Sequence, residues 1–342
     1  MTGRIALLVG SILFTFAALE IGCRLWRGPD SLLNWSNLVL EERRATRAAG
    51  VGRLTYDAEL GFVPTQGYRP TPTPMPTPAG LALAEPPILV VGDSYAHGDE
   101  VSDEETWAAL LQALTHRRTV NAGVSGYGLD QIVLRTEQAA RDVKPAAIVL
   151  MFIAEDLRRS EMKRVWGAGK PYFEPNGEVP VLRNVPVPSS PEPESTLDLW
   201  QHLFGWSVLV DTVLRHKGWQ YEWAIDHERV LPRGDGEKLA CPLLQRLKRL
   251  GLPTLVVASY DPNVWRDAGY AEEQRRLSAM VLACAKEAGF GTFDLFDTIG
   301  LAVSTLGFAD AYRSSHPGPV IHRLEALQIA AELGRLHIPP SR

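Results

Sequence analysis

The chain begins with an apolar segment. Residues 5–19 (IALLVGSILFTFAAL) contain no charge, and Glu20 and Arg24 interrupt the apolar pattern only near its end. These 15 residues fall short of the roughly 20 that span a bilayer, but the residues after Glu20 (IGC) continue the apolar character. The pattern predicts a membrane anchor over residues 1–27, formed by a transmembrane helix.

Two kinds of processing are alternatives to an uncleaved anchor. Cleavage as a signal peptide needs small residues at the cleavage site, and the best match, Thr15 to Ala17, is poor. Lipoprotein processing at Cys23 would require an aliphatic residue three positions earlier, where Glu20 stands. Arginines are more frequent after the segment, at positions 24–47, than before it, which opposes export of the main domain. We nevertheless expect a single-pass anchor with a periplasmic domain, because the family resemblance described below favours it.

A proline-rich stretch separates the anchor from the rest of the chain. Residues 64–87 hold eight prolines, in sequences such as YRPTPTPMPTPAG. Proline favours polyproline II geometry and is excluded from helix interiors and central strands. We therefore predict an extended arm and linker over residues 28–86.

From residue 87 onward, short apolar runs alternate with helical patterns. Ile88–Val91 is a continuous apolar run, typical of a strand buried on both faces, and Ser102 and Glu105 form a capping box that begins a helix. The other predicted strands are Ala147–Phe152, Thr254–Ser259 and Thr292–Phe296, and the other predicted helices are Asp130–Val143, Tyr270–Ala288 and Pro319–Leu336. This alternation predicts an α/β fold whose parallel sheet is covered on both sides.

The domain predicted over residues 87–342 contains an insertion at about 160–250. About a hundred residues separate two successive strands there, far more than one crossover requires. Leu197–His216 reads as an amphipathic helix, and tryptophans at positions 206, 219 and 223 add aromatic surface. We expect these aromatic residues to pack the insertion onto the sheet; a cap over a binding cleft is the alternative.

Charge and cysteine content narrow the possible functions. The 342 residues carry a formal net charge of −5 without a long basic run, so the sequence predicts no nucleic-acid partner. The three cysteines match no zinc pattern, and we predict no metal and no cofactor. Cys241 and Cys284 could form a disulfide, but Cys284 lies on an apolar helical stripe, so we expect buried thiols.

Three segments carry candidate chemistry. Gly92-Asp93-Ser94 directly follows the strand Ile88–Val91, and ligands bind at the carboxyl ends of strands in open α/β sheets. Ser94 is therefore either a nucleophile or the cap of the next helix. The glycine-rich loop at 121–128 (NAGVSGYG) could direct backbone N–H groups at an oxyanion, or could be an ordinary connection. His316, before the last helix, is a candidate base or a surface imidazole.

Four segments together resemble the ordered sequence blocks of the SGNH, or GDSL-type, hydrolases. They are ILVVGDSYAHGDE, NAGVSGYG, VLMFIAEDLRR and SHPGPVIHRLEALQIAAEL. The N-terminal anchor also resembles that of the membrane-tethered bacterial branch of this family. The resemblance implies a three-layer α/β/α sandwich with a central parallel sheet, and ester hydrolysis without a cofactor.

The resemblance also implies roles for individual residues. Ser94 matches the nucleophile, whose own N–H donates to the oxyanion, and Gly126 matches the glycine that supplies a second N–H. His316 matches the base that takes the Ser94 proton and later protonates the leaving alcohol.

Two positions depart from the family pattern. Glu155 stands where an asparagine amide donates to the oxyanion, and Arg313 stands where an aspartate orients the histidine. Glu155 could be protonated and donate, or could accept from His316, and Asp310 could replace the missing aspartate. We also consider that Glu155 and Arg313 form a compensating ion pair.

The sequence thus predicts a membrane-anchored serine esterase that acts on O-acyl groups, such as those of an envelope carbohydrate, or on a small ester. One alternative is an inactive protein of this fold with a binding or structural role in the cell envelope. Another is an O-acyltransferase that uses the same residues. Glu155 and Arg313 favour the inactive protein, whereas Ser94 and His316 favour an enzyme.

Overall fold

The computed structural model describes residues 2–50, 53–72, 85–165, 168–177, 179–189, 197–217, 219, 223–224 and 234–336. These residues form two compact units. The helical unit takes its residues from 1–52, 163–169 and 189–230, and the sheet unit takes the rest, from 53–162, 170–188 and 231–342.

The secondary structure follows the predicted alternation. The strands are β1 (Leu54–Asp57), β2 (Gly61–Pro64), β3 (Ile88–Val91), β4 (Thr119–Asn121), β5 (Ala147–Phe152), β6 (Arg164–Val165), β7 (Ala168–Gly169), β8 (Tyr172–Glu174), β9 (Val181–Arg183), β10 (Thr254–Ala258) and β11 (Gly291–Asp294). The helices are α1 (Thr2–Arg27), α2 (Leu38–Gly50), α3 (Ser94–His97), α4 (Trp107–Thr115), α5 (Leu129–Val143), α6 (Glu155–Ser160), α7 (Leu199–Phe204), α8 (Val208–His216), α9 (Asp235–Leu247), α10 (Ala268–Glu287), α11 (Phe296–Leu306), α12 (Phe308–Ala311) and α13 (Pro319–Arg335).

Five parallel strands form the centre of the sheet unit, in the order β11-β10-β5-β3-β4. Every residue of β3, β5 and β10 is buried, as expected for strands covered on both faces. One face of the sheet packs against α4, α11 and α13, and the other face packs against α5, α9 and α10. The predicted three-layer α/β/α sandwich is confirmed.

The helix predicted over Leu197–His216 is two shorter helices, α7 and α8. They are separated at Gly205, where an added Cβ atom would lie 2.3 Å from the carbonyl oxygen of Gln201. Each helix has its own cap, since Asp198 begins α7 and Ser207 begins α8. The two caps therefore divide the segment into two helices, although its apolar residues keep one helical period throughout.

Part of the segment predicted as linker groups with the sheet unit. Residues 53–72, predicted as part of an extended arm, belong to the sheet unit, where the β1–β2 hairpin packs against α5. The hydroxyl of Tyr127 donates to the carbonyl of Phe62, and the side-chain amide of Gln131 donates to the carbonyl of Leu60. Leu60 and Phe62 are both buried, so this segment contributes apolar surface that the sheet unit needs. The prolines at 74, 76 and 78 lie outside the described residues.

The predicted insertion is likewise divided. Its residues 170–188, which include the β8–β9 hairpin, belong to the sheet unit, whereas residues 189–230 belong to the helical unit. Helix α9 packs on α5 and α10 as an ordinary crossover helix of the sheet. Tryptophans 206, 219 and 223 lie in the helical unit.

The expectation of buried thiols at Cys241 and Cys284 is also wrong. The two cysteines form a disulfide between α9 and α10, with their Cα atoms 4.7 Å apart. The apolar stripe that carries Cys284 packs directly against α9, which brings the two sulfur atoms together. Cys23 is a free cysteine.

Candidate active site

Ser94 lies at the carboxyl end of β3, where the chain turns into α3. Gly92 makes this turn possible, because its φ of 153° is unfavourable for other residues and an added Cβ atom would lie 2.3 Å from the carbonyl oxygen of Met151. Asp93 caps α3 by accepting a hydrogen bond from the Tyr95 N–H at 2.9 Å. The sharp turn therefore fixes Ser94 as the first residue of a helix, beside backbone N–H groups that lack helical partners.

The second predicted residue, His316, lies next to Ser94. Its Nε2 atom is 2.9 Å from the Ser94 Oγ atom. The backbone N–H of Arg313 donates to the His316 carbonyl at 2.9 Å, and the Tyr95 hydroxyl donates to the Ser315 carbonyl at 3.0 Å. The loop that carries His316 is thus held by one hydrogen bond within the loop and by another to Tyr95 of α3.

Glu100 occupies the other side of the imidazole. Its Oε1 atom lies 3.2 Å from the Nδ1 atom of His316. The same carboxylate accepts hydrogen bonds from the backbone N–H groups and the hydroxyls of both Ser314 and Ser315. Although partial burial favours the neutral form, these hydrogen bonds and His316 lower the pKa of Glu100 to about 2.

Glu100 is not among the residues predicted from the sequence. Asp310 and Glu155 are the predicted partners of the imidazole, but Asp310 is exposed and Glu155 contacts Arg158. Two features of the sequence point to Glu100. It lies only six residues after Ser94, and it is an acidic residue in the loop that follows the turn at Ser94. Neither feature indicates that this loop and the 313–316 loop lie side by side.

The backbone of the Glu100 loop is held in an unusual conformation. Glu100 has a φ of 68°, in the left-handed region that residues other than glycine rarely adopt. Arg69 fixes the loop by donating to the carbonyls of His97, Gly98 and Val101 and to the carboxylate of Asp103. Arg69, which lies in the segment predicted as linker, therefore holds the loop that carries Glu100.

Gly126 adopts a positive φ of 81° in the glycine-rich loop. The neighbouring Ser125 donates to a carboxylate oxygen of Asp99 at 2.7 Å, and the Nδ1 atom of His97 lies 2.6 Å from the same carboxylate. Burial opposes ionisation of Asp99, but the hydrogen bonds from His97 and Ser125 outweigh it and lower its pKa. Asp99 thus links the loop of Gly126 to the loop of Glu100.

Glu155 does not pair with Arg313. It lies in the first turn of α6 and accepts a hydrogen bond from Arg158 Nε at 2.6 Å. Arg313 is exposed. The helical spacing of three residues brings Glu155 and Arg158 together, so the expected ion pair with Arg313 is replaced by one within α6. Because Arg158 binds the carboxylate of Glu155, the charge at this position is neutralised locally.

An ionic cluster with two buried carboxylates lies beside the turn that carries Ser94. The Nη1 atom of Arg159 is 3.1 Å from Asp93 Oδ2 and 2.7 Å from Asp156 Oδ1. Burial and the neighbouring Asp93 raise the pKa of Asp156 well above its usual value, and burial also raises the pKa of Asp93. Arg159 thus joins the segment that follows β5 to the turn that carries Ser94.

Comparison with solved structures gives several similar chains. LAE5, an alpha/beta hydrolase enzyme from the metagenome of Lake Arreo, Spain, is 15% identical, covers 73% of this chain and 95% of its own, and has a TM-score of 0.47. TesA is 16% identical, covers 73% of this chain and 98% of its own, and has a TM-score of 0.42. A catalytic mutant of Axe2, an acetylxylan esterase from Geobacillus stearothermophilus, is 14% identical, with coverages of 72% and 93% and a TM-score of 0.46.

The sequence matches the GDSL-like Lipase/Acylhydrolase family over residues 90–324, which is more than half of the chain. No curated protein matches it. The matched range contains Ser94, Glu100, Gly126 and His316, and the first, second and fourth of these lie in one line of contacts. The chain belongs to the GDSL-like lipase/acylhydrolase family.

Proposed function

We propose that this protein is a membrane-anchored serine esterase whose catalytic residues are Ser94 and His316, with Glu100 as the acid that orients His316. The observation that carries the proposal is the line of contacts through the imidazole: Ser94 Oγ at 2.9 Å from Nε2, and Glu100 Oε1 at 3.2 Å from Nδ1. A carboxylate at Nδ1 favours the tautomer whose Nε2 atom is free to accept the serine proton.

Acylation is the first half of the reaction. The Ser94 Oγ atom attacks the ester carbonyl carbon while its proton moves to Nε2 of His316. The resulting oxyanion accepts hydrogen bonds from the N–H groups of Ser94 and Gly126. The carbon–oxygen bond to the alcohol then breaks, and Nε2 gives its proton to the leaving alkoxide, which leaves an ester between Ser94 and the acyl group.

Deacylation repeats these steps with water. A water molecule loses a proton to Nε2 of His316 and attacks the acyl carbon, forming a second oxyanion in the same place. The bond to Ser94 Oγ breaks, the proton returns to Ser94, and the carboxylic acid leaves. If a carbohydrate hydroxyl took the place of water, the same steps would transfer the acyl group.

Helix α1 supports an uncleaved anchor. Residues 3–27 form a helix long and apolar enough to cross a membrane, with a mean hydropathy of 2.1 over its most apolar window. Near its end, Glu20 binds the start of α8 and Arg24 binds the carbonyls of Ser31, Asn34 and Trp206. Removal of α1 as a signal peptide would leave these groups without partners, which favours its retention.

One observation supports a location outside the cytoplasm. The Cys241–Cys284 disulfide is typical of proteins from oxidising compartments. We propose that the substrate is an acylated carbohydrate of the cell envelope.

The proposed activity can be tested with a fluorophosphonate probe on the full chain in detergent. Labelling of the parent protein and its loss in Ser94→Ala are the expected results. Ser304→Ala, which removes an exposed hydroxyl in α11, serves as the control and should label like the parent. Absence of labelling in the parent at saturating probe would favour the binding protein, and labelling that persists in Ser94→Ala would exclude Ser94 as the nucleophile.

A further inference from the structure

The helical unit contains an inverted helix. In α7 the polar Gln201 is buried, at 5% exposure, whereas three apolar side chains on the opposite surface are open: Leu199 at 66%, Trp200 at 61% and Leu203 at 50%. Gln201 accepts a hydrogen bond from Asn37 at its carbonyl, and its side-chain amide donates to the carbonyl of Trp223. A helix in water has the reverse arrangement, with apolar residues inside.

More apolar surface is exposed where α1 ends. Leu33 is 89% exposed, and Trp26 and Trp35 are also open. Trp35 packs on Trp206, with 5.5 Å between ring centroids, and Trp206 meets Phe16 of α1 at 6.4 Å. Tryptophan is enriched at the boundary between lipid and water, because one part of the ring is apolar and the indole N–H is polar.

The length of α1 indicates the depth at which this surface lies. The uncharged residues 5–19 span about 22 Å at the helical rise of 1.5 Å per residue. The hydrocarbon core of a bilayer is about 30 Å thick. When α1 crosses this core, Glu20 and Arg24 therefore lie at or inside the edge of the hydrocarbon. The residues that pack around them lie at the same depth.

Glu20 and Arg24 make hydrogen bonds to other protein groups, which suits a position at the edge of the hydrocarbon. The Glu20 carboxylate accepts hydrogen bonds from the Ser207 hydroxyl, from the N–H groups of Val208 and Leu209, and from Arg24. Arg24 is fully buried, and its guanidinium carbon lies 3.8 Å from the centre of the Trp35 ring. Charged groups whose hydrogen bonds are all made within the protein can lie where water is scarce.

We propose that the helical unit is embedded in the membrane surface, with Leu199, Trp200 and Leu203 of α7 inserted among the lipids beside the end of α1. This surface is named the α7 face. The proposal rests on the membrane anchoring proposed above and adds a second contact with the same bilayer. The occupant is lipid, because the α7 face and the exposed residues at the end of α1 belong to one unit that contains the spanning helix.

The test uses the full chain in nanodiscs of phosphatidylethanolamine and phosphatidylglycerol. In a Cys23→Ala background, an environment-sensitive fluorophore is attached to a single new cysteine, Leu203→Cys in the α7 face. We expect a blue-shifted emission and a loss of intensity when lipids with a nitroxide on the acyl chain near the headgroup are included. Leu301→Cys, an exposed apolar position in the sheet unit at 69% exposure, is the control and should show neither effect.

A third label separates failure of the inference from failure of the anchor. Phe14→Cys lies in the uncharged part of α1 and should be quenched by nitroxides placed deep in the bilayer. Water-like emission from position 203 with quenching at position 14 would overturn the α7 proposal and leave the anchor intact. Blue-shifted emission at 203 without quenching by lipid would also overturn it, in favour of a protein partner or a second copy. Absence of quenching at both positions would overturn the anchor as well.

Discussion

The Oε1 atom of Glu100 lies 3.2 Å from the Nδ1 atom of His316, opposite the nitrogen that contacts Ser94. The proposed nucleophile, Ser94, and the proposed orienting acid, Glu100, are only six positions apart in the sequence, joined by α3 and one loop. This arrangement explains how the proposed catalytic residues tolerate Arg313 at the position where the family has an aspartate.

Glu100→Gln should reduce kcat for a short-chain ester by about 10²- to 10⁴-fold with little change in KM, because the amide no longer favours the productive tautomer. Glu100→Asp should restore part of this loss if the negative charge is what matters. Glu104→Gln changes an exposed glutamate in the same loop and should leave kcat unchanged. Equal activities of Glu100→Gln and the parent would rule out a role for this carboxylate.

The low pKa of Glu100 also predicts a pH dependence of stability. Its pKa is about 2 in the folded protein against 4.5 ordinarily, so the ionised carboxylate stabilises the fold fully above pH 4.5. This contribution is lost as the pH falls from 4.5 toward 2. The difference in unfolding free energy between the parent and Glu100→Gln, measured in urea, should therefore be constant from neutral pH to about 4.5 and shrink below it. A difference that grows on acidification would contradict the assignment.

Arg69→Ala should disturb the site from outside the matched family range. It removes the donor to the carbonyls of Gly98 and Val101, whereas the His97 carbonyl keeps a hydrogen bond from the Asn121 amide at 3.3 Å. Each unsatisfied group of this kind costs about 1–3 kcal/mol where it is buried. We expect a lower urea midpoint and a lower kcat, and no rescue by Arg69→Lys, which lacks the planar fork. Arg53→Ala, at an exposed arginine of the same segment, should match the parent in both measurements.

Glu155→Asn should increase activity. The change replaces a carboxylate with an amide, and a donor to the oxyanion is typically worth about 10²–10³ in kcat, so a gain of about tenfold is a conservative expectation. Glu155→Gln is the matched control, because it removes the same charge but places its amide one methylene further out. A similar gain in both variants would show that the charge mattered and the donor did not; no gain in either would contradict the expectation.

Reduction of the Cys241–Cys284 disulfide should destabilise the sheet unit. The bridge closes a loop with a sequence separation of 43 residues, for which chain entropy predicts about 4 kcal/mol. The urea midpoint should fall in the presence of a reductant and in Cys241→Ser, and the reductant should have no further effect on that variant. Cys23→Ser should retain the full response to reductant, since Cys23 is free.

The local pattern of the sequence predicted most of the sheet unit. The strands at Ile88–Val91 and Ala147–Phe152 begin and end where predicted, because a strand buried on both faces is a continuous apolar run. The pattern failed where partners distant in sequence decide the structure. The β1–β2 hairpin reads as linker by composition, and only its packing against α5 makes it part of the fold.

The α/β class, the family resemblance and the candidate residues Ser94 and His316 follow from local order and motif, which are read directly from the sequence. Which carboxylate faces His316, which arginine neutralises Glu155, and that Cys241 meets Cys284 follow only from the packing of distant segments. The physical reason is the same in each case. Hydrogen bonds, ion pairs and disulfides depend on distances of a few ångströms between side chains, and such distances follow from how helices and loops pack, not from their spacing along the chain.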